Sequence, residues 1–252
     1  MSQARSEFYR TYSPVMAAVI SEDPNGIQGI GAAFHIGDGY LLTARHVVEK
    51  RRKIEVIPYN YSYPSVEILE VIFPEDASVD LAMLRTTFSL DFYMNHTKIM
   101  LGGSEWTGKV DHVQIGTHLD DWLDDSLVLS EVVLMGYPPI PLSSRLNLVA
   151  VKGEINSIID PYSGSRHPLF VISPIARGGF SGGPVLHFPS GWLIGVLTTS
   201  LVNGNAPPEL GYHAALTVEP IWNLLFAHDI FPASNREVAD LIIPGWQDED
   251  DS

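Results

Sequence analysis

Short runs of β-forming residues, each bounded by glycine, proline, asparagine or aspartate, repeat along this chain of 252 residues. A chain cut this often cannot build long helices, so its backbone hydrogen bonds must be met between strands. Val15–Ile20, Gly31–Ile36 and Tyr40–Thr43 read as strands, and Gly37-Asp38-Gly39 between the last two reads as a hairpin loop. Ile54–Pro58, Val66–Phe73 and Leu81–Leu84 continue the pattern. After a long polar interval it resumes with Leu127–Met135, Leu146–Val151, Phe170–Ile172 and Trp192–Thr199. The spacing predicts an all-β chain of paired sheets or barrels. Helices are expected at only a few places. One is a single turn around Ala44–Glu49. A second covers Glu219–Ala227, with Thr217 as its cap and Pro220 in its first turn, where the missing N–H costs little. Ser234-Asn235-Arg236-Glu237 fits a capping box for a further short helix. No internal repeat is visible.

Composition narrows the function. At 45% apolar residues the chain can bury a substantial core. No apolar run reaches the length of a membrane-spanning helix. The first residues lack an apolar signal segment, and there is no cysteine, so cytoplasm is the simplest expectation. The lack of cysteine also excludes disulfides and thiol chemistry. A formal charge of −15 disfavours nucleic acid and anionic membranes as partners. The nine histidines form no metal-ligating pattern, so neither a metal nor another cofactor is expected.

The chemistry concentrates at residues 178–184, Gly-Gly-Phe-Ser-Gly-Gly-Pro. A serine between glycines is suited to a tight turn. Gly179 and Gly182 let the backbone approach a reacting carbonyl. The amides of Gly179 and Ser181 could then hold the oxyanion formed when Ser181 attacks. A hydroxyl is a weak nucleophile and needs a base, which in turn needs a carboxylate to orient it. His46, in Leu-Leu-Thr-Ala-Arg-His-Val-Val, and Asp80, in Val-Asp-Leu-Ala-Met-Leu, stand upstream in the order His, Asp, Ser. Glu75 and Asp76 lie close to Asp80, but in a stretch that reads as a solvated loop, whereas Asp80 opens an apolar run.

On these residues the chain resembles a trypsin/chymotrypsin-like serine peptidase, most like the cysteine-free HtrA-type catalytic domain. Four patches carry the likeness in family order: Gly31–Phe34 through Thr43–Val48, Val79–Leu84, Met135–Pro138 with Lys152–Ile155, and Gly179–Pro184. The resemblance implies two six-stranded antiparallel β-barrels with the site in the cleft between them. It implies His46 as general base, Asp80 as its orienter and Ser181 as nucleophile of a serine endopeptidase acting on protein or peptide substrates. One peptidase domain would span about 1–245. Its first barrel would cover about 14–88, its second about 127–218 and a helix about 219–228, with an acidic tail at 246–252. Residues 89–111 look like an insertion relative to the family, which would hang over the site, serve as a partner surface or form a plain surface loop, and too few residues follow the helix for a PDZ domain. A regulatory protein partner is one way to restrain such an enzyme.

Phe180 departs from the family, which carries Asp or Asn there. It either reshapes the oxyanion turn or packs inward, and it cannot pair with a freed N-terminus. The resemblance lines the specificity pocket with Ile175–Gly178, with Thr198, Thr199 and Ser200, and with residues near His213. An uncharged Ile175 predicts apolar or small substrate side chains, because a cation buried there would stay unpaired. His213 is either a packed strand histidine or a reader of an acidic or amide side chain. Thr198 is expected to hydrogen-bond Asp80. Two other functional classes compete. A catalytically silent protease fold would serve as a binding module. An α/β-hydrolase would need an acid and a histidine after Ser181 in a β/α rhythm that is missing. Gly103–Lys109 imitates a phosphate-binding loop but continues into Val110, where a Ser or Thr is required.

Overall fold

The computed structural model describes residues 2–59, 66–89, 111–117, 125–160, 167–175, 178–201, 211–232 and 235–239. The insertion at 89–111, apart from Ser89 and Asp111, lies outside the described residues. So do the phosphate-loop mimic Gly103–Lys109 and the acidic tail.

Helix α1 (Ser2–Tyr12) leads into β1 (Met16–Glu22), β2 (Gln28–Gly37), β3 (Tyr40–Thr43), the single-turn α2 (Arg45–Val48), β4 (Lys53–Pro58), β5 (Ile68–Ile72) and β6 (Ala82–Thr86). These strands form one antiparallel sheet in the order β4-β1-β2-β3-β6-β5. A lone bridge, Val56 to Val66, draws the two outer strands together. This first unit is a curled sheet rather than a fully hydrogen-bonded barrel. The expected hairpin forms at Gly37-Asp38-Gly39, where Asp38 (φ 50°) and Gly39 (φ 80°) take the left-handed conformation. Ala32, Ala33, Phe34 and Ile36 are all buried, so β2 is covered on both faces. Its near-continuous apolar run is the signature of such a strand.

The second unit holds β7 (Glu131–Gly136), β8 (Val149–Ile159), β9 (Leu169–Ile175), β10 (Pro184–His187), β11 (Leu193–Leu201) and β12 (Tyr212–Leu216). They close into a barrel in the order β10-β11-β12-β9-β8-β7. Closure leaves no unpaired edge. Its interior is filled by Leu134, Ile155, Phe170, Ile172, Phe180, Val185, Ile194, Leu197 and Ala215. Two of these strands escape the sequence reading. β10 opens on a proline directly after the glycine turn, and β12 contains His-Ala-Ala, which has little β preference of its own.

Helix α1 is also unexpected from sequence. Residues 4–7 are exposed, and the helix docks through aromatic groups on its second half. Phe8 meets Tyr12 and Phe188 with ring centroids at 4.6 and 5.4 Å. Arg5 lies 3.5 Å from Glu131. At the other end α3 (Glu219–Ala227) forms with the expected bounds and with Pro220 in its first turn. Its cap differs from expectation: Val218 occupies the cap position with no side-chain bond, and the Thr217 hydroxyl is buried without a described partner. Packing of Ile221, Trp222, Leu224 and Leu225 into the core holds this helix instead.

The short segment at 111–117 is pinned from both termini. Val113 and Ile115 are fully buried, and Gly116 accepts a hydrogen bond of 2.9 Å from the Trp222 indole. A short helical turn occupies 235–239, although the expected cap, Ser234, is not described. Asn235 in that turn accepts from the Ile115 amide (2.8 Å) and donates to the Ile36 carbonyl (2.8 Å). One buried amide thus joins the C-terminal turn, the crossing segment and β2. Replacing it strands two buried backbone groups, each costing about 1–3 kcal/mol. Asn235→Ala is therefore expected to lower stability by about 2–4 kcal/mol, measured by urea denaturation.

Candidate active site

His46 sits on α2, directly after β3. The helix is set by Arg45, whose guanidinium donates to the carbonyls of Asp76 (3.0 Å) and Pro74 (3.3 Å) and lies 4.8 Å above the Phe73 ring. Arg45 thereby fastens the loop that carries Asp80 to the helix that carries His46. Sequence reading passed over this residue. The signal was a charge inside the apolar run Leu-Leu-Thr-Ala-Arg-His-Val-Val.

Asp80 turns its carboxylate onto His46 twice. The His46 backbone N–H donates to Oδ1 (2.9 Å), and ring Nδ1 lies 2.7 Å from Oδ2. An ionised carboxylate only accepts, so Nδ1 carries the proton and Nε2 keeps its lone pair. Such a histidine is oriented as a base. The flanking side chains Val79 and Leu81 are buried, which fixes the carboxylate in place. Glu75 and Asp76 are exposed, as expected of a solvated loop. Asp76 caps its own turn by accepting from the Ser78 amide (2.8 Å).

Ser181 arrives from the second barrel. Gly179 (φ 91°) and Gly182 (φ 82°) both take backbone conformations that L side chains rarely adopt. The turn is seated on both units. On the barrel side, the Gly179 carbonyl accepts from the Tyr137 amide (2.8 Å), and Gly183 packs against the Met135 carbonyl. On the sheet side, the Ser181 carbonyl accepts from the Ala32 amide (2.8 Å). A Cβ on Gly182 would stand 2.3 Å from both the Ala32 carbonyl and the Thr43 hydroxyl, and 2.7 Å from the Ala44 amide. The serine turn therefore rests on the residues that immediately precede His46. Among the described residues nothing accepts from the N–H of Gly179 or of Ser181.

Two details differ from expectation. The Ser181 hydroxyl donates to the Thr198 carbonyl at 3.1 Å, and no hydrogen bond joins it to His46. The Thr198 hydroxyl points to the Ala214 carbonyl at 3.4 Å rather than to Asp80. The Asp80 oxygens are taken by His46, and Thr198 is instead tied into the β11–β12 ladder. Phe180 packs inward: it is buried in the second barrel, with its ring centroid 5.8 Å from that of His213 and edge-on to it. Ser200 pairs with His213 across that ladder. Ile175 pairs by backbone with Tyr212, but its side chain and that of Thr199 lie outside the described residues.

Two curled antiparallel β-sheets, with the serine turn of one laid against the histidine helix of the other, define the chymotrypsin-type double-barrel fold. The model of the trypsin-like peptidase domain matches residues 31–196, and the chain belongs to that family. Solved structures share the fold. The Rv3671c protease from M. tuberculosis, in its active form, is 18% identical with a TM-score of 0.63, over 89% of this chain and 85% of that one. The HtrA-type protease AlgW is 15% identical with a TM-score of 0.63, over 88% of this chain. The serine endoprotease from Yersinia pestis is 19% identical with a TM-score of 0.58, also over 88% of this chain. The match spans 62% of the AlgW chain and 65% of the Yersinia chain. No curated protein sequence matches.

Gly182→Ala is expected to separate the serine turn from β2 and α2. Its Cβ would collide with fixed backbone in a disfavoured conformation. We expect a loss of at least about 2 kcal/mol in urea denaturation, together with loss of any Ser181-dependent reactivity.

Burial also shifts His213 down from 6.5 to about 4. Between those values the folded chain holds fewer protons than the unfolded chain, so stability rises with pH and is lost on acidification. Buried His35 is shifted in the same direction. His213→Leu should flatten, without abolishing, the fall in stability between pH 6.5 and 4.

Proposed function

We propose that the chain is a serine endopeptidase. The reading rests on one observation above the rest: His46 is locked by two hydrogen bonds to Asp80 while the Ser181–Gly182 backbone lies against Thr43 and Ala44. In this reading the Ser181 hydroxyl leaves the Thr198 carbonyl, to which it now donates, and turns to Nε2 of His46. Hydrogen bonds at such sites are often loose until substrate binds.

In the proposed reaction Oγ of Ser181 attacks the scissile carbonyl carbon and Nε2 of His46 takes the hydroxyl proton. The Gly179 and Ser181 amides receive the oxyanion. Collapse of the adduct breaks the C–N bond, and His46 returns the proton to the departing amine. Water, deprotonated by His46, then attacks the acyl-serine ester. The carboxylate product leaves and Ser181 regains its proton. Asp80 stays ionised, steadying the imidazolium at each step.

A second reading, a silent protease fold used for binding, takes its support from the Ser181 hydroxyl donating to Thr198 and not to His46. A fluorophosphonate probe separates the two. The peptidase reading expects covalent labelling that vanishes in Ser181→Ala. It also expects Asp80→Asn to lower kcat by roughly 10⁴-fold with the fold intact. Failure of wild-type protein to label, with or without peptide, would leave the binding reading standing.

A further inference from the structure

Where α1, the first sheet and the β7–β8 connection meet, the protein holds a cavity of about 220 Å³. Tyr9 reaches it from α1, Tyr59 from just past β4, and Tyr137, Arg145, Asn147 and Leu148 from the connection. Ala18 on β1 stands opposite Ile57 on β4 and contributes only a methyl group, which leaves the space open. Drug-sized ligands occupy sites of roughly 300–1,000 Å³, so this cavity suits something nearer a single ring.

Its charge is opposite to that of the chain at large. The chain carries 30 acidic and 15 basic residues, yet the described residues that line the cavity include Arg145 and no carboxylate. Arg5, Arg45, Arg52 and Arg85 each stand beside a glutamate. No described carboxylate pairs with Arg145. Its loop is fixed by other means. The Ser143 hydroxyl donates to the Arg145 carbonyl (3.0 Å), and the Asn147 side chain donates to that carbonyl (2.9 Å) and to the Ser143 oxygen (2.6 Å). A phenol pair adds a donor. The Tyr9 and Tyr59 hydroxyls hydrogen-bond each other, and burial pushes Tyr9 well above the usual phenol range, so it keeps its proton at pH 7. One of the two O–H protons lies between the oxygens, which leaves the other to donate.

One residue links the cavity to the serine turn. Tyr137 lines the cavity while its backbone N–H donates to the Gly179 carbonyl (2.8 Å). Gly179 packs so closely on the Tyr137 carbonyl that no Cβ fits between them. A ligand that moves Tyr137 therefore moves the turn.

We propose that this cavity is an effector site for a small aromatic carboxylate, which Arg145 and the Tyr9–Tyr59 pair bind and which acts on the serine turn through Tyr137. The lining dictates the class. Three tyrosine rings and Leu148 favour a flat apolar body. The lone guanidinium favours an anion and matches the two-oxygen fork of a carboxylate. A phosphate monoester brings close to two charges at pH 7, and one guanidinium leaves part of that charge uncompensated. An ammonium would face Arg145 with like charge. The site stands apart from the chemistry of Ser181 and does not rest on the peptidase reading.

Backbone amide signals in NMR test it, with benzoate, benzamide, benzylamine and phenyl phosphate added to the wild-type protein. Benzoate is expected to shift Tyr59, Asn147 and Gly179 together and saturably. Benzamide, its neutral counterpart, and benzylamine should bind at least about tenfold more weakly, the scale of one hydrogen bond to a charged group. Arg145→Gln, at an exposed position, should weaken benzoate by a similar factor and leave the urea midpoint in place. No saturable shift with benzoate would overturn the site. Equal binding of benzoate and benzamide, tighter binding of phenyl phosphate, or unchanged binding in Arg145→Gln would overturn the chemistry assigned to it. Shifts at Tyr59 and Asn147 with Gly179 unmoved would overturn the link to the turn. None of these readouts requires Ser181 to react, so failed fluorophosphonate labelling strikes the peptidase reading alone.

Discussion

One backbone contact holds the site together. The Ser181 carbonyl accepts from the Ala32 amide, and Gly182 lies so close to Thr43 and Ala44 that no side chain fits between them. Ala32 is on β2, and Thr43 and Ala44 lead into α2. The contact therefore transmits the position of the first sheet to the serine and that of the second barrel to the histidine. Since it is made by main chain, it does not depend on the rotamer of any flexible group. A hydrogen-bonded backbone joint between a buried strand and a glycine-bound turn moves less than a side-chain contact would, and a site spread across two units needs that rigidity.

The remaining features extend this joint. Arg45 binds the carbonyls of the loop before Asp80, so the carboxylate and α2 move as one body. Gly136 and Gly183 let the serine turn settle on the end of β7. Asn235 and Trp222 brace the crossing segment from the far side. The cleft itself needs few polar groups, because each is oriented by a neighbour that is itself held. The barrel stays closed where its ladders shift register, near Thr198 and His213. The same bulges that interrupt pairing bring the Thr198 carbonyl to Ser181.

Much of the architecture could be read in advance because strands announce themselves by local pattern. β1 to β7, β9 and β11 fall on runs of apolar and β-branched residues, with ends displaced by a few positions, whereas β8 shares only Val149–Val151 with the expected Leu146–Val151 and continues to Ile159. β10 and β12 do not, since a leading proline and a His-Ala-Ala run hide them until barrel closure supplies their partners. Helix α1 carries too narrow an aromatic stripe to be recognised without the surface it covers. Of the site, the three chemistry-bearing residues stood out because the glycines around Ser181 and the order of the three residues are local or sequential signals. Arg45 did not, because its importance lies in carbonyls some thirty residues away. Thr198 was expected to face Asp80, yet its hydroxyl turns to the ladder, an orientation set by a bulge that no local pattern reveals. Phe180 was left between two roles, and burial against His213 settles it.

Residue type and spacing marked the all-β character, the glycine-bound serine, the histidine and aspartate upstream of it, and the lack of cysteine. These follow from what each side chain can do and from short-range steric rules. Which ring nitrogen of His46 faces Asp80, which carbonyl holds the Ser181 hydroxyl, and how Phe180 packs on His213 are set by contacts between residues far apart in the chain. Such contacts exist only once the two sheets have closed against each other, because hydrogen bonding and burial act through space and not along the sequence.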